Sequence, residues 1–172
     1  MSKPVIDFIF DFGSPNAYLS LRPLEAIATK HGASVKLVPC LLGGIFKATG
    51  NQSPMMAFGG VKGKLDYERL EMQRYIVKHR FDKFRFNPHF PVNTLMAMRG
   101  AVAAGKLGVQ RAYVDAVLKA MWEDGLKMDD PDVFKAALDK AGLDGAAIAA
   151  KAQEPDVKAE LAANTDGAVA RG

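Results

Sequence analysis

A short apolar run, Phe8-Ile9-Phe10, ends at Asp11, and Gly13-Ser14-Pro15 follows at once. A proline suits the first turn of a helix, where its missing N–H has no partner to lose. Ser14 therefore falls at the N-cap, where its hydroxyl can accept from an orphan backbone N–H. The hydroxyl then sits at the positive end of a helix dipole just past a strand, a place that stabilises anions. From the dipeptide alone, plain helix capping explains Ser14 as well as chemistry does. A serine hydrolase is disfavoured, because the G-x-S-x-G elbow is absent and no histidine stands in a suggestive relation to Ser14. In "FKATGNQSP" (46–54), Lys47 offers a flexible cation beside the amides of Asn51 and Gln52. It reads either as an exposed turn lysine or as a charge-paired contact for a substrate carboxylate. In "RFNPHFP" (85–91), Arg85, Asn87 and Phe90 could line a pocket for a planar aromatic ligand, or plug a gap in the packing. His89 is the one histidine in a candidate site, and no metal-binding spacing of His, Cys or carboxylates occurs.

These residues need elements to hold them. Residues 5–11 read as a buried strand, 15–31 as a helix closed by Gly32, and 34–41 as a second strand. Strand, helix, strand with short links is a βαβ unit with parallel strands. The stretch 41–54 reads as a loop with at most one helical turn. Helices are expected at about 63–80, 94–104, 110–123, 131–141, 143–152 and 155–163; the third carries Tyr113, Val114, Val117, Leu118, Met121 and Trp122 on one face. Two parallel strands are too few for a stable sheet. Nothing after residue 50 reads as a strand, and "TDGAVARG" (165–172) reads as a glycine-ended loop. The expectation is therefore that the natural chain continues past Gly172, with a shared or swapped sheet as the alternative.

The bulk properties exclude several classes. The 172 residues are 49% hydrophobic and 24% charged, with a net charge of +4. The mean hydropathy is near zero and the pI is about 9.2. No run of like charges suggests a nucleic-acid footprint, and a basic pocket for a small anion fits the charge equally well. A single cysteine, Cys40, excludes a disulfide framework and a C-x-x-C pair. It reads first as a small strand-end hydrophobe and second as a reactive thiol. No signal pattern and no apolar stretch of spanning length occur, so a cytoplasmic protein without a membrane partner is expected.

Taken together, "FDFGSPNAYL", "GGIFKATGNQSP" and "NPHFPVNTLMAMRG" resemble the 2-hydroxychromene-2-carboxylate isomerases and their relatives, the kappa-class glutathione transferases. The resemblance implies an α/β fold: a thioredoxin-like βαβ domain with a large all-helical insertion, as in the oxidoreductase DsbA. The N-terminal part would span 1–50, the insertion 51–163, and the return to the first domain would begin at 164–172, with the closing strands and a cis-proline loop beyond. Where redox relatives carry C-x-x-C, this chain has Ser14-Pro15-Asn16-Ala17, so the thiol would come from glutathione. Ser14 matches the family's thiol-activating serine, with Pro15 and Asn16 beside it at the cofactor. Lys47 lies at or next to the substrate-binding lysine, and Asn51 and Pro54 match the G-N-x-x-P loop. Phe90 falls where some isomerases carry a tyrosine, which leaves the substrate open. The implied partners are an aromatic small molecule and glutathione, with homodimers common among relatives. The implied reaction is a glutathione-dependent cis–trans isomerisation in aromatic catabolism. A kappa-like transferase and a non-catalytic thioredoxin-fold binding module are the alternatives.

Overall fold

The computed structural model describes residues 3–172. Strands β1 (Val5–Phe10) and β2 (Ser34–Pro39) pair in parallel, with Val5 opposite Ser34 and Phe10 opposite Pro39. Helix α1 (Pro15–Lys30) connects them. Pro15 occupies its first position, and Gly32, at φ 68°, lets the chain leave the helix through the left-handed region. The βαβ unit and its parallel register agree with the periodicity of the sequence. Among the described residues no further strand pairs with it.

Everything after β2 is helical or loop: α2 (Leu42–Thr49), α3 (Pro54–Phe58), α4 (Lys64–His79), α5 (Leu95–Lys106), α6 (Gln110–Trp122), α7 (Pro131–Lys140), α8 (Gly145–Lys151) and α9 (Pro155–Ala170). The core is centred on α5 and α6. Helix α5 buries a run of small residues, Ala97 to Ala104, and thereby admits the large side chains of α6. Gly100 marks the tightest approach: an added Cβ would stand 2.1 Å from the Tyr113 hydroxyl. That hydroxyl donates to the Ala97 carbonyl at 2.7 Å, so the helix pair is locked by a hydrogen bond as well as by packing.

Two elements depart from expectation. The 41–54 stretch is not a loop: it holds the eight-residue α2 and the short α3. Gly43 and Gly44 each lower helix propensity by about 1 kcal/mol relative to alanine. At Gly44 the lost propensity is offset by close packing, since a Cβ there would come within 3.1 Å of Thr165 Cγ2. The same contact explains the second departure. Helix α9 does not stop near 163 in a glycine-ended loop but runs to Ala170. Thr165 is buried, donates to Leu161 O at 2.7 Å, and accepts from the Leu41 N–H at 2.9 Å. One turn later Arg171 pairs with Asp7 of β1 at 3.0 Å. The helical region thus folds back on the βαβ unit at both strands.

Candidate active site

The turn after β1 is built around one carboxylate. Asp11 is 4% exposed. Its Oδ1 accepts from the Gly13 N–H and its Oδ2 from the Leu42 N–H, both at 2.8 Å, and the Thr94 hydroxyl adds a third bond. Gly13 leads into α1, Leu42 opens α2, and Thr94 is the N-cap of α5. Three helix starts are therefore gathered at a single side chain. Each carries partial positive charge from unpaired N–H groups. Phe12, fully buried, pins the same turn from the other side. Its N–H donates to Met98 Sδ at 3.4 Å, and its carbonyl accepts from Trp122 Nε1 at 3.0 Å.

Ser14 stands at the end of this turn with an extended backbone, φ −95° and ψ 116°. Its N–H donates to Asp11 O at 3.0 Å and its carbonyl accepts from Ala17 N at 3.1 Å. The hydroxyl makes no capping bond, which corrects the expectation that it would satisfy an orphan N–H. Its backbone is fixed and its oxygen is uncommitted. Pro15 is half-buried and Asn16 exposed, as the first residues of α1.

Burial holds the Asp11 carboxyl above the ordinary carboxylate range, and its hydrogen bonds from Gly13, Leu42 and Thr94 only partly offset this. A pKa raised on folding makes the protonated form the one favoured by the native state. The associated stability is therefore full below the unfolded value of about 3.8 and is lost as pH rises through the native value. The stability of the protein relative to its Asp11→Asn variant should accordingly fall on titration upward through the acid range. Denaturant melts at a series of pH values measure it; a difference that grows with pH would reverse the sign.

Lys47 is exposed in the last turn of α2, with no carboxylate in ion-pair range among the described residues. It lies five residues beyond Leu42, about 7.5 Å along the helix from the bond to Asp11. Asn51 and Pro54 are exposed on the link to α3, where Asn51 Oδ1 accepts from Gln52 N at 2.9 Å and Pro54 opens α3.

The 85–91 segment divides into two roles. Asn87 does not line a ligand pocket. It is 2% exposed and its amide donates to the carbonyls of Met121 and Leu126, both at 2.9 Å, while its oxygen accepts from His89 N. It plugs the α6 end, the role left open beside ligand binding. Arg85 is exposed, with its N–H anchored on Trp122 O. Phe90 is half-buried, edge-on to Phe86 at 5.1 Å and 6.3 Å from Trp122. Trp122 thus bears the aromatic rings of this loop on its faces and holds the Ser14 turn through its N–H.

Cys40 is buried, and burial together with the Asp11 charge pushes its thiol up to about 11. It remains a thiol at neutral pH, in keeping with the strand-end hydrophobe reading, and supplies no nucleophile. The largest cleft, of about 500 Å³, does not include Ser14. It opens one turn further along α1, where Tyr18 and Arg22 face Arg80, Phe81, Lys83 and Glu123. Tyr18 donates to Glu123 at 2.9 Å, and burial plus that carboxylate push its pKa to about 12, so it stays a donor. Ser14, Tyr18 and Arg22 are spaced i, i+4, i+8 on one face of α1. That spacing was visible in the sequence, whereas the cleft beside it and the role of Asp11 were not.

The comparisons accord with this geometry. A curated 2-hydroxychromene-2-carboxylate isomerase of Pseudomonas sp. (strain C18) is 29% identical over 146 residues, 84% of this chain and 66% of its own length. The chain therefore spans just under two thirds of that relative. Glutathione S-transferase kappa 1 of Caenorhabditis elegans is 35% identical over 54 residues, 31% of this chain and 24% of its own. The solved structure of a 2-hydroxychromene-2-carboxylate isomerase superposes with a TM-score of 0.77 at 26% identity, covering 97% of this chain and 80% of its own. The likeness includes the strand-to-helix turn at Ser14 and the helices packed around it. Since the family model of the DSBA-like thioredoxin domain matches residues 5–172, nearly the whole chain, this protein belongs to that family.

Proposed function

We propose that the protein is a glutathione-dependent cis–trans isomerase acting on 2-hydroxychromene-2-carboxylate or a similar aromatic pyruvate-type intermediate of aromatic catabolism. The observation that carries this reading is the uncommitted Ser14 hydroxyl at the start of α1, in a DsbA-like fold whose C-x-x-C position reads Ser14-Pro15-Asn16-Ala17. The names of the isomerase relatives support the reaction class, and the kappa transferase relative supports the choice of thiol.

The residues present fit a bound thiolate. The turn offers an oxygen with a free hydrogen to donate, the dipole of α1, and no second thiol to compete, because Cys40 is buried and protonated. When bound, glutathione supplies a thiolate that adds reversibly to a conjugated carbon, so that the double bond can rotate before it is restored. The chain holds the sulfur in place. Ser14 donates to it, the N-termini of α1, α2 and α5 favour its charge, and Pro15 and Asn16 form the wall beside it. Lys47, with Asn51 and Pro54 on the same link, meets the substrate carboxylate. Phe90 and Arg85, on the Trp122 platform, flank its aromatic ring.

The test is a spectrophotometric isomerisation assay with 2-hydroxychromene-2-carboxylate, with and without glutathione. Turnover that requires glutathione without consuming it is expected. Stoichiometric loss of glutathione would instead favour the kappa-like transferase, the reading for which the nematode relative speaks. Absence of both turnover and glutathione binding would leave the non-catalytic binding module.

A further inference from the structure

Helix α4 has sixteen residues and buries none of them fully. It is held to the core along one side only, by the half-buried Met72, Tyr75 and Ile76. Tyr75 packs near-parallel to Phe81 at 6.3 Å and Met72 lies a turn before it. At 100° per residue, the opposite side of α4 presents Tyr67, Leu70, Arg74 and Val77, spaced i, i+3, i+7, i+10. The three apolar members of that second stripe are 56%, 48% and 66% exposed. Met56, Phe58 and Val61 continue the surface through α3 and the link. Of eleven large apolar side chains left exposed, seven fall between residues 55 and 77, so the exposure is concentrated rather than scattered. A helix with two opposed apolar stripes has one partner too few, and contiguous exposed patches of this kind mark interaction sites.

We infer that this α3–α4 face is a two-fold interface with a second copy of the chain. Charge selects that occupant. The first half of α4, residues 64–71, carries three acids and two bases; residues 72–80 carry Arg74, Lys78 and Arg80 and no acid. A two-fold axis across the helix pairs each half with the other half of its twin, because an isologous contact sets residue i on j and j on i. The antiparallel arrangement thus lays the acidic half on the basic one. With the axis near Arg74, Leu70 meets the partner's Val77 and Glu71 meets the partner's Lys78. The two Arg74 side chains near the axis are each neutralised by their own Glu71, at 2.6 Å. Area is sufficient as well: seven such side chains at roughly 80–100 Å² each approach the ~800 Å² per partner of a standard interface before polar neighbours are counted. The inference is independent of the isomerase reading, since it uses no residue assigned to that site.

Sedimentation velocity on the 172-residue chain, from low to high micromolar concentration, tests it. A reversible monomer–dimer equilibrium is expected. Leu70→Asp combined with Val77→Asp should give a monomer with an unchanged far-UV spectrum and melting temperature, because both side chains face water in the single chain. Glu71→Lys should weaken the dimer by about tenfold or more, and Glu71→Lys with Lys78→Glu should recover most of that loss. A chain that stays monomeric throughout, or a dimer indifferent to the Leu70 and Val77 substitutions, overturns the proposal.

Discussion

Ser14→Ala should lower glutathione-dependent turnover by about 10² to 10³-fold, the loss expected when one donor to a developing or bound anion is removed. It should do so with almost no change in stability. Replacing a serine N-cap by alanine ordinarily costs about 1 kcal/mol through the lost side-chain bond to the helix. Here there is no such bond to lose, because the hydroxyl caps nothing and Ser14 is held through its backbone. The combination separates the two readings of the residue. A helix cap would give a lower melting temperature with activity preserved in the folded fraction. A thiolate donor gives the reverse: intact melting, lower kcat, and a thiol titration of bound glutathione moved toward higher pH. Turnover equal to that of the unaltered protein would remove Ser14 from the mechanism.

Gly100→Ala should destabilise the protein by about 3 kcal/mol, since overpacking a well-filled core typically costs 1–3 kcal/mol and this contact lies at the severe end. For a chain of this size that corresponds to a melting temperature lower by about 6–12 °C. The sign is the informative part. In an open helix interior the same substitution is favourable by roughly 1 kcal/mol, because glycine gives up more backbone freedom on folding. Here the new methyl would stand 2.1 Å from the Tyr113 hydroxyl and 2.7 Å from the ring carbon that bears it. Tyr113 is fully buried between α5 and α6, edge-on to Phe12 at 6.0 Å and to Phe134 at 6.3 Å, so it has nowhere to move without disturbing both. Phe12 carries the Ser14 turn, and activity should fall along with stability. Pairing Gly100→Ala with Tyr113→Val should recover part of the lost stability in a thermal melt, whereas a purely local helix effect would leave the two changes additive.

The elements with strong local signals were legible in the sequence. The β1–α1–β2 unit announced itself through its alternation, the Pro15 start and the Gly32 stop. Helix α6 was evident from its spacing. What escaped was whatever depends on residues far apart. Gly43-Gly44 argues against a helix locally, and α2 forms because Thr165, more than a hundred residues later, packs on it and accepts from its first N–H. The last turns of α9 are concealed for the same reason, as Thr165 and Gly167 are weak helix formers until the partner is in place. In the candidate site, Ser14 could be read from the Ser-Pro step, but Asp11 could not. Its importance rests on Leu42 and Thr94, which are 31 and 83 residues away in sequence. Asn87 was legible as special and misread in role, because a buried asparagine clamp and a ligand-facing amide have the same letter. The expected division at 50 and 163 is best kept as a proposal: α2, α9 and both strands are joined by side-chain bonds that cross those positions.

The bonds from Thr165 to Leu41 and from Arg171 to Asp7 span 124 and 164 residues. Contacts of such sequence separation raise the contact order of the chain and slow the search for the native state, because a long loop must close before they contribute. They also set an order of events on the ribosome. The βαβ unit emerges first, yet the residue that fixes the start of α2 is made 124 positions after Leu41. At synthesis rates of about 5–20 residues per second, the first unit waits roughly 6–25 s for that partner. During that interval its apolar strand faces are exposed, and its stability depends on whatever holds nascent chains in the cell.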